Sequence, residues 1–259
     1  MSDRLDELAK DDEFFVGYLP TPPRTKRFAL AVGVALVIFV AGLQAALAAF
    51  QRGPGDTLER SRRAELDGVF VQEPYPMIRY LTEEGEVQTA LFSRGWKAGL
   101  GTRFAELDGQ GVHVTGRLFT RRDARGPREL FVLNGSPEPT ELDAEVQAKL
   151  AVEEESLGEV TLQGTIIDSK CMYGQMRPGD GRAHRACAQL CIAGGIPPAF
   201  VTKDAEGAET HYVLADAEGG NAIPRVLEFV AEPTRAVGTL VRRGDLVVLR
   251  LASITALEH

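Results

Sequence analysis

Between Phe28 and Phe50 the chain reads FALAVGVALVIFVAGLQAALAAF, 23 residues without a charge. At a rise of about 1.5 Å per residue, a helix of that length spans roughly 35 Å, enough to cross a hydrocarbon core with some tilt. Gln44 is its only strongly polar side chain. Ala46-Leu47-Ala48 has the form of a signal cleavage box. However, the run exceeds the roughly 7–15 apolar residues of a signal peptide, and a partly acidic head precedes it. The segment is therefore expected to be an uncleaved transmembrane helix held in membrane lipid through residues 28–50. RTKR (24–27) abuts its N-terminal end, while the far side offers Arg52 and then Arg60, Arg62 and Arg63. The near flank favours an N-terminus in the cytoplasm. The expected localisation is a single-pass inner (cytoplasmic) membrane protein whose larger part is periplasmic, where disulfides are permitted.

The head, residues 1–27, is too short for a domain. Pro20, Pro22 and Pro23 favour an extended approach to the membrane. Phe14, Phe15 and Tyr18 suit either headgroup anchoring or docking on a partner membrane protein, and they are the candidate partner interface. The formal net charge of -8 argues against a nucleic-acid surface. The basic pairs Arg62-Arg63, Arg121-Arg122 and Arg242-Arg243 all have acidic neighbours.

Residues 51–63 carry glycines, a proline and then charges, and read as a linker. From about 64 the hydrophobic period becomes two. DGVFVQ, PMIRYL, VQTALF, GVHVTGRLF and ELFVLNG predict about five strands over 64–136. An acidic, helix-prone connector covers 137–157. Strands resume over 158–259 with VTLQGTIID, AFVTKD, THYVLAD, TRAVGTLVRRG and LVVLRLASITAL. The two halves echo one another. In 112–136 and 235–254 a strand reaches a glycine (Gly116, Gly238), then a leucine (Leu118, Leu240), a basic pair at a turn and a second apolar strand. Such hairpins suit the last strands of a small barrel.

The fold expected is mainly β, with one transmembrane helix followed by two small β-barrel domains that resemble the OB fold. A single extended sandwich is the alternative. An N-terminal anchor before such a barrel is similar to the haem-chaperone family of cytochrome c maturation. FAELDGQGVHVTGRL (104–118) resembles that family's gly-gln-gly run leading into a strand. Where the family carries its haem-attaching histidine this chain reads VLNGSPEP, so the resemblance implies architecture and not covalent haem carriage. The paired Cys-x-His boxes of a Rieske centre are absent from the sequence.

All three cysteines fall in SKCMYGQMRPGDGRAHRACAQLC (169–191), within an insertion of the second barrel at 169–198. RPGDG reads as a turn and 182–193 as a helix capped by Asp180 and stopped by Gly194-Gly195 and Pro197-Pro198. His184, Cys187 and Cys191 then share one helix face, and Cys171 arrives from a strand end. Four readings follow. An external compartment favours a disulfide from Cys171 to Cys187 or Cys191, closing a loop of about 15–20 residues and contributing roughly 3 kcal/mol. Cys171, His184, Cys187 and Cys191 also form a candidate metal set for zinc, or for copper with Met172 and Met176 assisting. The remaining readings are inert core thiols and a Cys–His nucleophile without an evident orienting residue. His113 and His211 fit strand packing, and His259 is terminal.

The sequence shows no nucleotide loop, hydrolase triad, paired-carboxylate motif or haem-attachment box. The expected function is a non-catalytic accessory or assembly subunit of a membrane, redox or electron-transfer complex. The alternatives are a periplasmic metal- or thiol-handling protein acting through the cysteine cluster, and a peptide or glycan binding module.

Overall fold

A computed structural model describes residues 23–50, 61–176 and 179–257. Phe14, Phe15, Tyr18, most of the expected linker and His259 lie outside the described residues. The chain divides into two units, 1–56 and 57–259.

In the first unit, α1 (Pro23–Phe50) is a 28-residue helix. Its stretch Arg24–Ala49 is long and apolar enough to cross a membrane, and none of it is buried within the protein. The helix takes in Pro23 and RTKR, ahead of the expected span 28–50, while Pro20 and Pro22 lie outside the described residues. Proline is tolerated at the first helical position, because its missing N–H has no intrahelical acceptor there.

The second unit holds two five-stranded β barrels. β1 (Arg62–Val71), β2 (Met77–Leu81), β3 (Val87–Ser93), β4 (Gly111–Asp123) and β5 (Gly126–Leu133) follow the order β1-β2-β3-β5-β4, and β4 pairs back onto β1. Only the β3–β5 pairing in this barrel is parallel. The short β6 (Glu138–Pro139) adds to β4, and α2 (Ala144–Lys149) occupies the expected acidic connector. The second barrel comprises β7 (Glu154–Asp168), β8 (Pro198–Lys203), β9 (Glu209–Ala215), β10 (Pro233–Arg243) and β11 (Leu246–Ala256). It closes as β7-β8-β9-β11-β10, again with one parallel pair, β9–β11.

The internal echo therefore marks equivalent hairpins, β4–β5 and β10–β11. A Cβ on Gly116 would lie 2.2 Å from the Val132 carbonyl oxygen, and one on Gly238 would lie 2.0 Å from that of Arg250. Each barrel wall requires glycine there because the neighbouring strand passes too close for a side chain.

Alternation along the strands fills both interiors. Phe70, Phe92 and Phe131 pack inside the first barrel, with ring centroids 5.8 and 6.1 Å apart. Ile166, Phe200, Leu214, Leu249 and Leu251 fill the second. A third apolar cluster is shared between barrels, joining Leu91 and Leu130 to Val201, Leu246 and Val248. Polar bonds fasten the same junction. Asp245, in the β10–β11 turn, accepts hydrogen bonds from the Gln88 amide (2.9 Å), the Thr89 N–H (3.0 Å) and the Thr89 hydroxyl (2.5 Å). The two barrels consequently share one core, and a residue of the first can contribute to a site of the second.

Candidate metal centre

The insertion between β7 and β8 starts from a buried carboxylate. Asp168 Oδ1 accepts the Cys171 N–H at 2.8 Å, and Oδ2 lies 3.0 Å from His184 Nε2. One side chain thus ties the outgoing turn to the returning one. A wide helical turn follows at Cys171–Gln175, kinked at Gly174. Tyr173 is fully buried and stacks on His211 with centroids 5.6 Å apart. Arg121 Nη1 donates to the Met172 carbonyl at 3.2 Å. After a short turn at Arg182–His184, α3 (Arg185–Ala193) carries Cys187 and Cys191. No side chain caps either segment, so Asp180 does not have the capping role that the sequence suggested.

The Cys171, Cys187 and Cys191 sulfurs all lie within 4.8 Å of one another. Cys171 and Cys191 are buried, and Cys187 is half-buried. All three are free thiols, so the expected disulfide from Cys171 to Cys187 or Cys191 is absent. The sulfurs converge as hydrogen-bonding partners: Cys171 bonds Cys191, and Cys187 bonds a lysine. That lysine is Lys97, from the loop after β3 of the first barrel. Its Nζ lies 2.7 Å from Cys187 Sγ and 3.7 Å from Cys191 Sγ.

Two contacts hold the Lys97 loop in place. The Gly99 N–H donates to the Gly194 carbonyl at 2.8 Å, just beyond the end of α3. The buried Lys170 ammonium donates to the carbonyls of Arg94 (2.5 Å) and Trp96 (2.6 Å). Trp96, at the loop tip, has φ of 60° and is 95% exposed. A tryptophan seldom adopts a positive φ or full exposure, so the loop holds a costly conformation by means of a buried lysine.

Electrostatics follow from these contacts. The hydrogen bond from Cys171 lowers the pKa of Cys191 to about 7, with the Lys97 charge assisting and burial opposing. The same bond, then burial and the Asp168 charge, pushes the Cys171 thiol well up. The cluster therefore holds a proton on Cys171 and favours a thiolate at Cys191 near neutrality. The bond to Cys187 raises Lys97. Burial lowers Lys170, while the Cys191 and Cys171 sulfurs pull the other way.

The four expected ligands are only partly brought together. His184 groups with Asp168 and Cys171, but not with Cys187 and Cys191. The turn preceding α3 rotates His184 onto Asp168 and away from the outer sulfurs. For the same reason His184 is not placed as a base for Cys187. Of the two methionines, Met172 is buried in the core shared by the barrels. Met176 has its Sδ 3.9 Å from Cys187 Sγ. Sequence reasoning missed Asp168, Lys170, Lys97 and Trp96. Asp168 and Lys170 adjoin Cys171 in the chain and were open to notice. Lys97 and Trp96 come from another barrel and carry no local signal.

Chemically, three convergent thiols suit a thiophilic metal ion. Metal–sulfur bonds of about 2.3 Å in a trigonal set place the sulfurs roughly 4 Å apart, within reach of small side-chain rotations. Elsewhere His113 pairs with Asp67 at 2.8 Å on the surface, and His211 lies in a buried network with Glu209. No protein-family model matches this chain, and no curated protein matches it.

Proposed function

We propose that this is a membrane-tethered protein that holds one thiophilic metal ion, zinc or copper(I), at Cys171, Cys187 and Cys191 outside the cytoplasm. The observation that carries the reading is the convergence of three reduced thiols from two segments of an insertion, within 4.8 Å of one another. An inert core offers no reason for a lysine from another barrel to bond the half-buried sulfur at 2.7 Å. The apolar helix supports a single-pass anchor, and RTKR at its head supports a cytoplasmic N-terminus. The likeness of the barrels to OB folds belongs to this reading as architecture only.

The test is the metal content of the full chain, purified in mild detergent under reducing conditions and offered zinc or copper(I). About one ion per chain is expected, lost in Cys187→Ser and in Cys191→Ser. A folded wild-type chain that takes up neither ion refutes the reading.

Trp96 supports a second role. Five large apolar side chains are exposed among the described residues outside α1. Three of them, Trp96, Leu190 (61%) and Met176 (46%), belong to the Lys97 loop, to α3 and to the turn beside Cys187. An exposed apolar set of this kind suits a protein contact. This favours an accessory subunit that docks a membrane partner next to the thiols. Co-purification of a stoichiometric partner with the wild type, and its loss in Trp96→Ala, is the expected result. An unchanged partner in the variant removes this role from Trp96.

A further inference from the structure

We infer that the thiol cluster is built for copper(I), bound by three sulfurs with the Met176 thioether on its open side. This rests on the metal-binding reading above and identifies the ion. A structural zinc site is almost always tetrahedral, with four nitrogen or sulfur ligands. The nitrogen donor nearest in sequence, His184, is held 3.0 Å from the buried Asp168 and does not group with Cys187 and Cys191. His184 reaches only Cys171 and is engaged by Asp168, whereas beside the half-buried Cys187 the available donor is the Met176 sulfur, 3.9 Å from Cys187 Sγ. Thioethers and thiolates are soft ligands that select copper(I), which accepts coordination by sulfur alone.

The arrangement also gives the ion a way out. Cys171 and Cys191 are buried, whereas Cys187 is half-buried and Met176 is 46% exposed. An incoming sulfur ligand therefore meets the ion from the Cys187–Met176 side. The site is suited to exchange with a thiol- or thioether-bearing acceptor.

The experiment uses the full chain in mild detergent, under anaerobic conditions, with copper(I) alone and zinc alone as probes. Each ion is held against a chromophoric chelator of its own, and the bound copper is examined by X-ray absorption. Expected are copper(I) retained, zinc surrendered, and a first shell of sulfur without nitrogen. Met176→Leu changes a partly exposed side chain and should weaken copper(I) retention about tenfold while leaving zinc unaltered. His184→Gln should keep the copper(I) stoichiometry and the all-sulfur shell. Zinc retained with a nitrogen ligand, or Met176→Leu indistinguishable from wild type, overturns the copper(I) assignment and leaves the metal-binding reading standing. Uptake of neither ion overturns both.

Discussion

Gly194→Ala tests whether the first barrel completes the thiol site. Gly194 follows α3 with φ of −78°, so alanine meets no backbone strain there. The obstacle is steric: its Cβ would lie 1.9 Å from the Lys97 carbonyl oxygen. Restoring contact of about 3.4 Å moves that carbonyl by roughly 1.5 Å. Such a shift breaks the 2.8 Å bond from the Gly99 N–H to the Gly194 carbonyl. It also carries Lys97 Nζ out of reach of Cys187. Overpacking at about 1–3 kcal/mol and a lost hydrogen bond at about 1 kcal/mol give a destabilisation of roughly 2–4 kcal/mol. For a unit of this size that lowers the melting temperature by roughly 5–15 °C. Metal retention should fall with it, because the Lys97 charge no longer faces the thiolates. The control is Gly95→Ala in the same loop, where a Cβ meets nothing within 4 Å. That variant should melt within about 0.5 kcal/mol of wild type. The assay is a thermal melt of the metal-free protein, followed by chelator competition on the loaded one. If Gly194→Ala melts and holds metal like Gly95→Ala, the close approach does not position Lys97 and the composite site is wrong.

Two further outcomes follow from buried charges. Burial alone would raise the Glu209 carboxyl, but bonds from His211 (3.3 Å), Arg121 (2.7 Å) and Lys203 (3.1 Å) outweigh it and hold the carboxyl far below its ordinary 4.5. A depressed folded-state pKa contributes stability that is present above 4.5 and is lost as pH falls below it. Glu209→Gln should lose about 2 kcal/mol at neutral pH and show a shallower acid slope in urea titrations; an unaltered slope would assign the acid sensitivity elsewhere. Asp245→Ala should cost about 2–3 kcal/mol in the same assay, because it strands the Thr89 N–H and the Gln88 amide at the junction. A wild-type unfolding curve would show that the barrels do not depend on that turn.

Much of the fold was legible because it rests on local periodicity. An uncharged run of 23 apolar residues favours one unbroken helix, and α1 covers it with a length and apolarity sufficient to cross a membrane. The two-residue alternation in GVHVTGRLF and TRAVGTLVRRG fixes which side chains face a barrel interior, and β4 and β10 lie where those segments were read. α1 takes in Pro23 and RTKR ahead of the span 28–50 because proline is excluded from helix interiors but not from a first turn. Asp180 looked like a cap on spacing alone, yet the turn before α3 leaves its side chain unused there.

The site divides along the same line. The sequence by itself determined that three cysteines and a histidine share one short insertion, since spacing alone places Cys187 and Cys191 on one helix face. Only the tertiary structure decided what they become. Asp168 captures His184, Met176 lies against Cys187, and Lys97 arrives from a separate barrel to bond Cys187. The physical reason is range. Periodicity and capping act over a few residues of chain. The charges and close backbone contacts that set this cluster's chemistry act between segments that meet only after both barrels have closed.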